Sequence, residues 1–465
     1  MNKLYLFILI GLFCSGCGKE FLDIKREAHQ VVPKTIKDYH AIMANDLLLV
    51  SSNDLAFVAA DEYTLGSEAD LIVGSQYNPI YKHIFKWENE GYESDEQILD
   101  WNFAYERIAY ANLAMDVERV KPTTKYEHMK QLEVRLAARF HRARNYYQLA
   151  QLFCKAYDPQ TADQEMGLPL RLDYDLDVSY ERSSLKQLYV QILKDLHEAE
   201  EIGQEHSVDN GKNPYFPGLL SVEALASRIY LQMGDYKKAQ EYADKVLQKM
   251  NSLIDYNNLT GNITGEYTSY FRLNGAENPE LIFYTVCKTG AIMTPSRFRT
   301  NEKFFQDFDD NDLRKEKGFY QRAAGNTVFI GSFAGRGASS YFTGFSVGEM
   351  LLNRAECYAR SGEDVKALAD INRLRAKRYR NYQVLNMTDV DDMTKLVLME
   401  RRKELFMRGM RWDDARRLNR EGKYPVSFQR TLEGKTYTLE PNSKNWLFPL
   451  PPTELERGKL EDNIR

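Results

Sequence analysis

The most regular alternation of apolar and polar positions runs from Gly348 to Arg380. Leu351, Ala355, Tyr358 and Ala359 recur at helical spacing, and after Ser361-Gly362 the residues Ala367, Leu368, Ile371 and Leu374 do the same. Such spacing gives each of two helices a single apolar face. Gly362 stands where the first helix needs a left-handed C-terminal residue, so the chain is predicted to turn back there as a helix hairpin. Tyr230-x3-Gly234-x4-Ala239 repeats Tyr358-x3-Gly362-x4-Ala367 position for position. In each copy Tyr would pack under the turn, Gly would make it, and Ala would let the second helix come close.

That spacing is the one of the tetratricopeptide helix pair and predicts a helical-repeat scaffold. Further helical stretches cover 38–50, 101–120 and 128–153. The last carries the stripe Leu132, Leu136, Phe140, Ala143, Tyr147 and Ala150. Ser184 is a suitable N-cap for a helix with Leu185, Leu188, Tyr189, Ile192 and Leu196 on its inner face. Helix pairs are therefore expected at about 101–153, 184–250 and 348–420. Between them the helical period fails twice, at about 51–96 and 251–347. The first stretch is punctuated by Gly66, Gly74, Pro79 and Gly91 and crowded with Tyr63, Tyr77, Tyr81, Phe85, Trp87 and Tyr92. The second is glycine-rich and holds the β-like pieces 281–286 and 327–330. The fold predicted is mainly α: a tetratricopeptide-like scaffold with long irregular insertions carrying a few short β-strands, in one domain over 17–465. Long loops on a rigid scaffold are where binding resides.

The N-terminus reads as a leader. Lys3 supplies the positive charge, 4–13 the apolar run, and Cys14-Ser15-Gly16-Cys17 follows. The run is too short to span a bilayer, and small residues before Cys17 have the form of a bacterial lipobox. Residues 1–16 are then a signal peptide, and Cys17 becomes a lipidated N-terminus whose acyl chains (palmitate) anchor the body to a membrane. No later stretch is apolar enough to span one.

Composition narrows the functional classes. Apolar residues make up 43% and charged residues 28% of the 465, ordinary globular usage. The net charge of −5 offers no general attraction to nucleic acid. The basic C-terminal helices, with Arg373, Arg375, Lys377, Arg378 and Arg380, are followed by 399–420, where acids are interleaved. Glu404 stands four before Arg408 and Asp413 four before Arg417. This reads as a solvated ion-pair face rather than a nucleic-acid patch. Cys154, Cys287 and Cys357 are too few and too scattered for a disulfide framework. There is no His-Glu-x-x-His, Cys-x-x-Cys or Gly-x-Ser-x-Gly, and Gly331-x3-Gly335-Arg-Gly337 lacks the Lys-Ser/Thr of a phosphate loop. Asp307, Asp309, Asp310 and Asp312 have no evident acid/base partner. No metal, cofactor or catalytic residue is predicted.

Pieces along most of the chain resemble the SusD/RagB family, surface lipoproteins of nutrient-uptake systems in Bacteroidetes. They are the lipobox at Cys17; Trp101-x3-Tyr105-x2-Ile108-x3-Asn112; the run 135–149; Gly167-Leu-Pro-Leu170; and the two hairpins. The most specific come last: Glu400-Arg-Arg-Lys-Glu404 with Gly409-x-Arg411-Trp412-x-Asp414-x2-Arg417, then Trp446-Leu-Phe-Pro-Leu-Pro451 with Glu454. The chain departs from the pattern at Cys14 and at Met407-Arg408. The resemblance implies a lipid-anchored outer-membrane protein facing the exterior. It would capture a glycan and deliver it to a SusC-like TonB-dependent barrel. Alternatives are the same role with a peptide, a scaffold lipoprotein binding other proteins, or a hydrolase using 307–312. The site is expected on 51–96 and 251–347. Trp87, Tyr81 and Tyr63 are candidate stacking platforms, Tyr270 and Phe271 further aromatic contacts, and Asp61 and Arg297 hydrogen-bonding groups.

Overall fold

The computed structural model describes residues 32–175, 178–208, 213–271, 277–288, 290–335, 340–456 and 458–463. The leader 1–16 and Cys17 lie outside the described residues. Four short helices come first among the described residues: α1 (Ile36–Met43), α2 (Asp54–Ala59), α3 (Glu68–Gly74) and α4 (Ile80–Lys86). Long helices follow: α5 (Leu99–Ala114), α6 (Lys125–Phe153), α7 (Leu185–His206), α8 (Leu219–Met233) and α9 (Tyr236–Lys249). The insertion holds α10 (Glu302–Phe305) and α11 (Leu313–Gly318). The C-terminal part adds α12 (Val347–Arg360), α13 (Asp364–Arg375), α14 (Met393–Glu404), α15 (Arg411–Glu421) and α16 (Pro452–Glu456). From α5 to α9 each helix packs on the next; α9 then packs on α12, and α12 on both α13 and α14. The result is the predicted mainly α stack of helix pairs.

The two hairpins share one turn. Gly234 and Gly362 have φ of 83° and 79°. The residue after each glycine donates its N–H back to the tyrosine carbonyl: Asp235 to Tyr230 at 2.9 Å, Glu363 to Tyr358 at 2.9 Å. An L-residue would be strained at either glycine, so both turns are fixed by it. Ala239 and Ala367 are fully buried where the helices meet.

Among the described residues the strands form two-stranded antiparallel ribbons. They are β1 (Tyr63–Leu65) with β6 (Phe298–Thr300), β2 (Met166–Pro169) with β3 (Arg182–Ser184), and β4 (Leu281–Phe283) with β10 (Phe345–Ser346). The others are β5 (Val286–Cys287) with β9 (Tyr341–Phe342), β7 (Phe319–Gln321) with β8 (Thr327–Phe329), and β11 (Phe428–Leu432) with β12 (Lys435–Leu439). The β1–β6 ribbon ties the first irregular stretch to the second, and so brings both onto one side of the molecule.

Two expectations are corrected. The stretch 51–96 is not structureless but contains α2, α3 and α4, each of six or seven residues. Helices of two turns are too short to display a periodicity, and tertiary packing sustains them. The C-terminal arginines form a solvated face only in part: Arg373 and Arg380 are exposed. Arg378, Arg401 and Arg417 are among the largest fully buried side chains. Glu404 and Arg408 approach to 3.9 Å, but Glu404 is buried. Arg417 turns from Asp413 to Asp414 at 3.0 Å and to Glu356 at 2.6 Å. Several of the partners lie on other helices, where local spacing cannot reveal them.

Arg378 carries this furthest. Its side chain is 0% exposed and lies between Glu280, at 2.8 Å, and Glu404, at 2.9 Å, with a further bond of 2.7 Å to the carbonyl of Ile254. Arg314 extends the cluster to Asp312 and Glu400, both at 2.8 Å. Removing one member of a buried pair leaves its partner's charge uncompensated. Arg378→Ala should therefore lower unfolding free energy by about 3–5 kcal/mol in urea denaturation. A loss near zero would show that the insertion is held by its apolar contacts alone.

Candidate functional site

The residues that sequence singles out divide sharply in the folded chain. Trp87, Tyr63, Tyr81 and Phe271 are all buried, Trp87 at 6% exposure. The first two belong to a cage around Arg430, a residue of β11. The Arg430 guanidinium lies 3.9 Å from the ring centre of Phe85, 4.8 Å from Tyr63 and 4.9 Å from Trp87. It donates to the carbonyls of Tyr63, Val58, Phe85 and Ala60. Burial lowers its pKa to about 10. Trp87 also ends α4 with a φ of 56°, and its Nε1 donates to the carbonyl of Ala59 at 2.8 Å. Tyr63 stacks on Phe298 with centroids 5.4 Å apart. Tyr81 points its hydroxyl at Asp54, and Phe271 packs between Tyr256 and Phe333. Position excludes Trp87, Tyr63 and Tyr81 as surface stacking platforms and Phe271 as a surface aromatic contact.

Asp61 is also structural. Arg411 donates to both of its oxygens, at 2.7 and 2.9 Å. Burial pushes its carboxyl up, but Arg411 and Arg402 outweigh that and hold it below the usual range. The acidic run 307–312 is dispersed: Asp312 is buried against Arg314, whereas the side chain of Asp310 is fully exposed. A cleft of about 460 Å³ lies between α14, α15 and 424–427. In its polar wall Arg401 pairs with Asp414 and Arg411 with Asp61, while Glu62 Oε2, Arg401 Nη2 and Arg402 Nε have no hydrogen-bond partner.

Arg297 and Tyr270 are both half-buried on loops, Tyr270 with the Lys317 ammonium 4.4 Å from its ring centre. Arg297 lies on an open face built outward from the β1–β6 ribbon. α3 packs on the turn Gly290–Met293, which leads through 294–297 into β6. Arg297 donates to Thr294 Oγ1 at 2.9 Å, and Arg299 to the carbonyls of Ser296 and Phe298 at 3.0 and 2.9 Å. Arg322, from the β7–β8 turn, donates to the carbonyl of Pro295 and pairs with Glu266 at 2.7 Å. The residue after Glu266, Tyr267, is 63% exposed. At the α3 end, Ile72, Val73 and Tyr77 stand out of the surface, Tyr77 at 79%. An arginine-rich strip with acid partners thus runs between exposed aromatic and aliphatic side chains. It offers flat apolar contact and planar hydrogen-bonding groups together.

Sequence reasoning misses Tyr77, Tyr267, Arg299 and Arg322. Tyr77 lies in the same aromatic crowd as Trp87, and nothing local distinguishes the ring that faces water from those that cage an arginine.

Comparison with known proteins places the chain. Residues 20–231 match a family profile described as "Starch-binding associating with outer membrane", and residues 304–463 match that of the SusD family. No curated protein sequence matches. Among solved structures, a SusD superfamily protein of Bacteroides thetaiotaomicron superposes with a TM-score of 0.71 at 17% identity, over 93% of this chain and 100% of that one. A SusD-like carbohydrate binding protein of Bacteroides vulgatus gives 0.65 at 18%, over 92% and 97%. Surface glycan-binding protein A of Bacteroides fluxus gives 0.67 at 15%, over 93% and 99%.

The buried position of Trp87 generates a stability prediction. Trp87→Ala removes an aromatic wall of the Arg430 cage and should cost about 3–5 kcal/mol of unfolding free energy. A variant with an unchanged melting temperature would place Trp87 at the surface after all.

Proposed function

The chain belongs to the SusD/RagB family, and from that premise we propose that it is a cell-surface lipoprotein that captures a glycan and passes it to a SusC-like TonB-dependent barrel. The observation that carries this reading is the open face on which exposed Tyr77 and Tyr267 flank the strip of Arg297, Arg299 and Arg322. A sugar ring has an apolar face of C–H groups and an edge of hydroxyls. The first stacks on an exposed ring and the second bonds to planar side chains. The names of the Bacteroides vulgatus and Bacteroides fluxus proteins, carbohydrate and glycan binding respectively, point the same way. The role is one of binding without turnover. No described helix is long and apolar enough to cross a membrane, so attachment would rest on lipidation of Cys17 at the outer membrane. The helical stack would give the barrel a broad rigid surface.

Capture by the open face is tested with polysaccharide affinity electrophoresis. Tyr77→Ala with Tyr267→Ala should weaken retention about tenfold, two aromatic contacts each worth roughly 0.5–1.5 kcal/mol. Exposed positions should leave the melting temperature nearly unchanged. Retention of peptides and not of polysaccharides would transfer the face to a peptide ligand. Delivery is tested by affinity purification of the tagged lipoprotein from solubilised outer membrane. A TonB-dependent barrel should co-purify in near-equal amount; soluble envelope proteins in its place would favour a scaffold.

A further inference from the structure

A small pocket of about 230 Å³ lies between the start of α2, the first turns of α5 and Lys288, the residue after β5. Its floor is polar and deeply buried: Ser51, Ser52, Asp100 and Arg107 are each less than 5% exposed. Its mouth is apolar, with Leu47 at 47% and Phe103 at 44% exposure. Lys288 stands two residues before the turn on which α3 rests, so the mouth and the open face are carried on one segment.

The floor is built but incompletely satisfied. Arg107 donates from Nε to Asn145 at 3.0 Å and from Nη2 to Ser52. Ser51 accepts from Arg144 Nη2 at 2.7 Å and bonds to Thr343. Asp54 accepts from the Cys287 thiol at 2.7 Å and from the Tyr81 hydroxyl at 3.4 Å. The Asp100 carboxyl lines the pocket and meets the backbone N–H groups of Asp54 and Leu55, while its buried Oδ1 has no hydrogen-bond partner. Behind Ser51, Arg144 Nη1 also has none. A buried polar atom left unpaired costs free energy that a ligand hydroxyl would recover.

The chemistry of the lining selects among ligands. Arg107 on the floor and Lys288 at the mouth disfavour a cation. Asp54, Asp100 and Glu106 disfavour an anion. Burial raises the Asp54 carboxyl to about 6 and pushes that of Asp100 well above its usual range, the Asp54 charge adding to the second shift. The pocket thus offers donors and acceptors with little net charge, which suits a neutral polyol. The volume falls below the ≈ 300–1,000 Å³ of sites for drug-sized ligands, so one ring fits and a chain does not.

We propose that this pocket is a second binding site, which takes a single neutral sugar ring, the end residue of a glycan. Asp100 and Arg107 bond its hydroxyls, and Phe103 and Leu47 cover its C–H face. The assignment rests on the glycan-capture reading and adds an end-on mode to it.

The full chain is titrated by saturation-transfer NMR with methyl glycosides of glucose, galactose and mannose, and with acetate and ethylammonium as charged probes. At least one glycoside should bind. Its Kd should rise about tenfold or more in Asp100→Ala, which removes both carboxyl oxygens, and in Leu47→Trp, which blocks the mouth. Because Leu47 is exposed, Leu47→Trp should keep the wild-type melting temperature, so its result stands even if Asp100→Ala unfolds. Failure of all three glycosides to bind, or binding indifferent to Leu47→Trp, overturns the proposal. So does acetate or ethylammonium binding that Leu47→Trp abolishes. If polysaccharide is retained while no glycoside binds, the pocket assignment fails alone. If glycosides bind and polysaccharide does not, capture on the open face fails and the pocket stands as a site for free sugar.

Discussion

A fully buried arginine, Arg378, holds two parts of this protein in register. It leaves the C-terminal end of the second hairpin and reaches Glu280, just ahead of β4, and Glu404, at the end of α14. Insertion, hairpin and following helix therefore share one guanidinium. Beside it Arg314 bonds Asp312 and Glu400, and Arg375 reaches Glu400 at 3.2 Å. Burial alone would raise the carboxyl of Glu404, yet Arg378 and Arg314 draw it down to about 2. Directional bonds of this kind specify an arrangement more strictly than apolar contact does, although they add little net stability over a well-packed core. A long insertion with short strands and little periodicity needs such a clamp, because its own hydrogen-bonded ribbons are two strands wide.

Arg430 plays the corresponding part for the first irregular stretch, by a different device. Rings and carbonyl oxygens surround it where Arg378 has carboxylates. The aromatic rings accept it through their negative faces, and the carbonyls take its donors. The crowding of Tyr63, Phe85 and Trp87 is thus explained by a residue more than three hundred positions away. That is why sequence alone misreads those rings. Aromatic clustering in a loop signals a cage as readily as a binding surface, and only the three-dimensional position of Arg430 separates the two.

Legibility in the sequence depends on the range of the interactions involved. The hairpins can be read because Tyr, Gly and Ala act within ten residues of one another, and a left-handed glycine leaves a local mark. The β-like pieces at 281–286 and 327–330 can be read for the same reason, as short runs of strand-favouring residues. The two-turn helices α2, α3 and α4 cannot, since packing rather than periodicity makes them. Of the candidate site, two stretches are legible and individual residues are not. The two stretches do meet, across β1 and β6, and Arg297 lies on a loop beside that ribbon. Exposure of Tyr77 and Tyr267 depends on which ring finds a partner, and that is a tertiary fact.

The open face is also largely assembled before any ligand arrives. Arg299 is held by two carbonyls, Arg322 by Glu266 and Pro295, and Arg297 by Thr294. These side chains have already lost their rotamer freedom on folding, so a ligand need not order them again. Arg299 makes both of its bonds through Nη1, so its other N–H donors can add a bond to a hydroxyl without breaking those that position it, whereas Arg322 already spends Nε, Nη1 and Nη2 on Glu266, Phe298, Asn326 and Pro295. The protruding tyrosines carry only two side-chain torsions and present rigid apolar area at low entropic cost. A surface so organised offers shallow contacts rather than deep enclosure. Enclosure is the property of the pocket floored by the buried Asp100 and Arg107.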